Sequence, residues 1–149
     1  MASATETSNR TASSVTGEAS LAGLELAGIA GLGSIIAIHA TELAGKVDEV
    51  RYLGAGYVAL ISASLVAIAM LAVGDRRRWP LAGLTAGATL IGYVLTRTVG
   101  LPGSTSDIGN WSEPLAVWSM LAEIAVVALA AVALVRLRRD ETRSDARSR

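Results

Sequence analysis

The chain has 149 residues, enough for one domain, and its 13 basic and 13 acidic side chains leave no net charge that would point to nucleic acid. Apolar residues make up 52% of it, yet there is no Phe and there are only three Trp and three Tyr; a soluble core this apolar would draw on large aromatics, whereas long runs of Leu, Ala, Val, Ile and Gly describe a bundle that faces lipid. The absence of Cys excludes disulfides, thiolate metal sites, iron–sulfur clusters and Cys nucleophiles.

Residues 1–18 are rich in Ala, Ser and Thr, with Arg10 the only basic side chain, and read as a disordered cytoplasmic tail. The apolar run that follows is too long, and lacks the basic flank, of a cleaved signal peptide. Four apolar stretches are predicted as spans, at 19–43, 52–73, 80–98 and 114–135. Each is close to the roughly 20 residues needed to cross a hydrocarbon core about 30 Å thick. They are continuous rather than alternating, and in lipid every backbone polar group must be satisfied internally, so they are predicted as helices. Residues 138–149 form a charged cytoplasmic tail. The fold class is all-α: an integral membrane four-helix bundle over 19–137.

Basic residues set the orientation. Arg10, the run Arg76, Arg77 and Arg78, and six Arg from Arg136 to Arg149 put ten on one side, against Lys46, Arg51 and Arg97 on the other. The positive-inside rule then makes both termini cytoplasmic. Trp79 inside and Tyr52 and Trp111 outside suit interfacial anchors. Pro80 opens span three, and Gly100-Leu101-Pro102-Gly103 ends it. Small residues recur every four positions: Gly23, Ala27 and Gly31; Ala59, Ala63 and Ala67; and the pair Gly83 and Gly87. Such stripes let helix backbones approach, within one chain or, as the sharper reading, between two copies.

Ionisable residues inside spans are costly and face the bundle interior by default. Glu25, near the inner end of span one, reaches the interface, and a proton wire from it to His39 lacks any polar group between Leu26 and Gly33. Glu123 lies about nine residues into span four, roughly 13 Å of helix rise from Pro114, so it must be neutral, paired or wet. Ser119 precedes it on the same face. In span three, Thr85, Thr89, Tyr93 and Arg97 share a side, and Arg97 is the expected partner of Glu123. His39 and Tyr57 come from the outer parts of spans one and two. His39, Tyr57, Tyr93, Arg97 and Glu123 thus form an outer-half polar cluster. It reads either as a network that fixes helix register or as a pocket for a proton, an ion or a small molecule. One His and no Cys make a poor metal set, and His39 with Glu42 does not complete one. No nucleophile elbow is present, and the glycines Gly28, Gly31 and Gly33 lie inside a span with no strand before them, so they are no dinucleotide fingerprint.

The segment Thr96-Arg97-Thr98-Val99-Gly100-Leu101-Pro102 resembles the Ser/Thr-Arg-Thr-x-Gly-Leu-Pro motif of small four-helix membrane proteins common in actinobacteria. The resemblance runs from about His39 to Glu123 and takes in Glu49 and Gly54. It implies a four-helix membrane fold in a bacterial plasma membrane, which the Ala- and Arg-rich composition suits, and it carries no activity over. Proteins of this kind often have a second His seven residues after the first. Lys46 stands there in this chain, so a metal pair would be incomplete.

The expected function is that of a non-enzymatic accessory or structural membrane protein with an outer-facing polar cluster, the alternative being a small transporter or a proton-linked ion or small-molecule binder. No catalytic residue, metal or cofactor is assigned. The partners expected are the bilayer and a protein subunit or second copy, with no nucleic acid.

Overall fold

The computed structural model describes the backbone of residues 2–75 and 77–147, and the side chains of residues 21–75 and 77–146. Within them the chain is all-helical: α1 (Ala2–Glu49), α2 (Arg51–Val73), α3 (Arg78–Thr98) and α4 (Pro114–Arg147). Each contains a stretch long and apolar enough to cross a membrane: Leu21–Glu49, Arg51–Val73, Arg78–Thr98 and Pro114–Ala146. The one bridge outside the helices among the described residues joins Leu101 to Ser104 in the α3–α4 connection.

Two helices run past the limits set by hydropathy. α1 continues to Glu49, and α4 continues as helix to Arg147 through the segment assigned to a charged tail. Neither Gly nor Pro follows Pro114 before Arg147, so nothing in the charged segment breaks a helix already nucleated by the apolar run. The expected tail at 1–18 falls where α1 is already helical from Ala2, and its side chains lie outside the described residues.

The helices run alternately up and down. α1 packs on α2 and α4, α3 packs on the same two helices, and the diagonals scarcely meet. The bundle therefore has a termini end, with the α2–α3 turn, and a far end, with the α1–α2 and α3–α4 connections. Only Val50 separates α1 from α2, in an extended conformation (φ −149°, ψ 121°). So tight a reversal brings Gly54 against α1: a Cβ there would lie 3.0 Å from the Cα of Val47 and overlap its side chain. The α2–α3 turn starts at Gly74, whose left-handed φ of 72° caps α2. The Asp75 side chain then accepts a hydrogen bond from the Arg77 amide at 2.7 Å.

From mid-bundle to the termini end the interior is mainly apolar. Leu32 and Ile35 of α1, Ala67 and Leu71 of α2, Ala82 and Ala86 of α3, and Val126 and Ala130 of α4 are buried together. Trp79 belongs to this core and is 1% exposed, which corrects its reading as an interfacial anchor. Its ring packs where Gly28 has no side chain: a Cβ on Gly28 would meet the ring at 3.2 Å. A small residue on α1 thus makes room for the largest side chain of α3. Gly83 and Gly87 face α4 of the same chain, at Ala130 and Val127. Tyr52 and Trp111, the other two expected anchors, are about half exposed at the far end.

Candidate ligand cavity at the far end

The far half is built differently. A cavity of about 620 Å³ lies among the four helices and reaches from the α3–α4 connection down to Thr85 and Glu123. All five residues of the predicted cluster line it: His39, Tyr57, Tyr93, Arg97 and Glu123. Helix geometry brings them there. Thr85, Thr89, Tyr93 and Arg97 repeat every four residues along α3, so all four point inward on one stripe, and the antiparallel α1–α2 hairpin sets His39 beside Tyr57. The two rings are 4.9 Å apart and tilted by 56°. His39 Nδ1 donates to the Ile35 carbonyl at 2.9 Å, the turn before it in α1, which fixes the ring orientation. The Tyr57 hydroxyl donates to Glu42 at 3.1 Å.

Arg97 does not pair with Glu123. Its guanidinium, 5% exposed, meets Asp107 at 3.2 Å and Glu113 at 2.8 Å, both from the α3–α4 connection. The reason is depth. Arg97 lies in the last turn of α3, level with the connection, whereas Glu123 lies about 13 Å down α4 from Pro114. Carboxylates at its own level therefore take the guanidinium. Asp107 also receives Lys46 of α1 at 3.3 Å, and Lys46 in turn meets Glu49 at 2.7 Å. Ser104 donates to Glu49 and Tyr52 donates to the Pro102 carbonyl. The connection is thus fastened across the top of the cavity to α1, α2 and α3. Arg97 also lies over the Tyr93 ring, 5.3 Å from its centre, and Trp111 meets that ring edge-on at 5.9 Å.

No family model, curated protein or solved structure matches the chain. What the cavity can do must therefore be read from its own groups.

Glu123 is the feature that stands out. It is 1% exposed; one carboxylate oxygen accepts from Ser119 at 2.9 Å and the other has no partner. The Tyr93 hydroxyl is likewise buried and unpartnered. Buried polar atoms are nearly always hydrogen-bonded, so three unpartnered ones on the same cavity wall, Arg97 Nε being the third, mark a place for water or a ligand. Glu25, at the other end, is accounted for by an ion pair with Arg78 at 3.0 Å.

Five charged residues escaped the sequence reading as members of this site: Glu42, Lys46, Glu49, Asp107 and Glu113. Asp107 and Glu113 sit in and beside a Gly-rich connection with no periodicity, so hydropathy assigns them to water. The legible signal was the excess of carboxylates near the only three basic residues on that side of the chain.

Proposed function

We propose that the chain is a multi-pass membrane protein, without catalytic activity, whose far-end cavity binds a small molecule. The observation that carries this reading is the unpartnered carboxylate oxygen of a fully buried Glu123 on the wall of a cavity of about 620 Å³. A polar network that served only to fix helix register would close on itself, because an unsatisfied polar group in an apolar interior costs about 1–3 kcal/mol. A volume of this size lies within the range of about 300–1,000 Å³ typical of small-molecule sites. The apolar core between the cavity and the termini end favours binding over conduction. The ten-to-three split of basic residues supports cytoplasmic termini and a cavity that faces the outside of a bacterial plasma membrane. The charged extension of α4 to Arg147 gives an accessory subunit a cytoplasmic surface to share with a partner.

The test is a thermal-shift screen of the full chain in detergent against small molecules of different charge and polarity. A ligand that binds only the folded state stabilises it by about 2.7 kcal/mol at 100 times its dissociation constant. We expect saturable stabilisation by at least one compound, lost when Thr89→Trp fills the cavity. No stabilisation by any class would leave a purely structural network.

A further inference from the structure

The charges around the cavity do not balance locally. Both of its cations are ion-paired, Lys46 with Glu49 and Asp107, and Arg97 with Asp107 and Glu113, although the buried Nε of Arg97 has no partner. Three carboxylates therefore serve two cations at the top of the cavity. Two more carboxylates line the wall with no cation opposite either: Glu42, which accepts from Tyr57, and Glu123, which accepts from Ser119. Lys46 and Arg97 are held by pairs that an anionic ligand would have to break, loosening the connection, and the third basic group on the wall, His39, donates through Nδ1 to the Ile35 carbonyl.

The wall below this level is apolar and made of small residues. Gly56, Ala59 and Ala63 of α2 face Leu84, Ala88 and Gly92 of α3 across it. Gly56, Ala59, Leu84 and Ala88 line the cavity and are exposed. The α2–α3 seam is also the least packed of the four. The cavity therefore opens sideways between two apolar helices as well as lying beneath the polar connection.

We propose that the ligand of this cavity is a lipophilic organic cation that enters between α2 and α3 and sets its positive charge against Glu123. This rests on the reading of the cavity as a binding site in a membrane protein. The carboxylate supplies the counter-charge that the fold withholds, small apolar residues supply room for hydrocarbon or aromatic substituents, and the side opening faces the phase in which such a molecule dissolves. An anion would meet more carboxylates than cations on the cavity wall. A strongly hydrated cation would have no apolar path and no ring of oxygen ligands.

Three probes of similar bulk separate the alternatives: tetraphenylphosphonium, tetraphenylborate and neutral triphenylmethanol. Each is measured by equilibrium dialysis against the full chain in lipid nanodiscs, with empty nanodiscs as the blank. We expect saturable binding of the phosphonium and no competition from the borate. Glu123→Gln should weaken phosphonium binding by about tenfold or more, as the loss of a charge-assisted contact does, while Glu123→Asp should retain most of it. Ala59→Trp narrows the side opening without touching Glu123. It should slow phosphonium association, followed as the time course of radiolabelled phosphonium uptake on the nanodiscs by rapid filtration, and this arm holds even where Glu123→Gln fails to fold; an unchanged rate overturns entry between α2 and α3. Equal binding of borate and phosphonium, or phosphonium binding unchanged in Glu123→Gln, overturns the proposal. Binding of triphenylmethanol or the borate without the phosphonium also overturns it, but leaves the cavity as a binding site. Binding of none of the three removes both.

Discussion

Replacing Arg97 by Met cuts two ion pairs at once, and the structure sets the size of the effect. Removing one member of a buried pair costs about 3–5 kcal/mol, because the other is left uncompensated. Three features reduce that here. Asp107 keeps Lys46 at 3.3 Å. Glu113 is 41% exposed, so water takes over its hydration. In the lipid-embedded bundle proposed above, moreover, polar contacts would average about 0.6 kcal/mol and reach about 1.7, since the unfolded chain finds other partners. Arg97→Met should therefore destabilise the protein by about 1–2 kcal/mol. The assay is reversible unfolding in mixed micelles, followed by tryptophan fluorescence, on double-mutant cycles. Arg97→Met combined with Glu113→Gln should show a coupling of about 0.5–1.5 kcal/mol, whereas Arg97→Met combined with Glu123→Gln should be additive within about 0.5 kcal/mol. Coupling to Glu123 as large as coupling to Glu113 would refute the assignment of Arg97 to the connection.

Gly54→Ala places a methyl group against the Val47 backbone at 3.0 Å. It should destabilise the α1–α2 hairpin by about 1–3 kcal/mol. Val47→Ala in the same chain should restore part of this, because it removes the side-chain overlap but leaves the backbone of α1 where it was; a melt in detergent that shows no loss for Gly54→Ala would contradict the tight reversal at Val50. For orientation, reporter fusions after Arg149 and at Ser104 should report cytoplasm and exterior respectively, as the basic-residue bias argues; a periplasmic signal from the C-terminal fusion would invert the topology.

The four helices were legible because hydropathy and length act together. An apolar run of about 20 residues has few alternatives to a helix, and α2, α3 and the start of α4 fall within two residues of their predicted limits. The polar cluster was legible for a related reason. Ionisable residues are rare in such runs, and a spacing of four puts Thr85, Thr89, Tyr93 and Arg97 on one face. Pairing within the cluster was not legible. Helical spacing fixes the direction of a side chain but not the relative depth of two helices, and the depth of α4 is set by an irregular connection whose three left-handed glycines, Gly100, Gly103 and Gly109, fold Asp107 back over Arg97. Trp79 was misread because a Trp beside a run of Arg has the sequence pattern of an interfacial anchor. What draws it inward is the space above Gly28, on a helix distant in the chain. The extension of α4 was hidden because hydropathy marks where a span ends and not where a helix ends.

The most direct test of the central claim, a hydrated polar cavity at the far end above a dry core, is thiol accessibility in a chain that has no Cys of its own. Single Cys residues are placed at Tyr57 and Tyr93, which line the cavity, and at Ala67 and Ala130, which are buried in the apolar core. A small membrane-impermeant thiol reagent is then applied from the side of the α3–α4 connection. The account predicts modification at Tyr57 and Tyr93 and protection at Ala67 and Ala130. Equal protection at all four positions would contradict it.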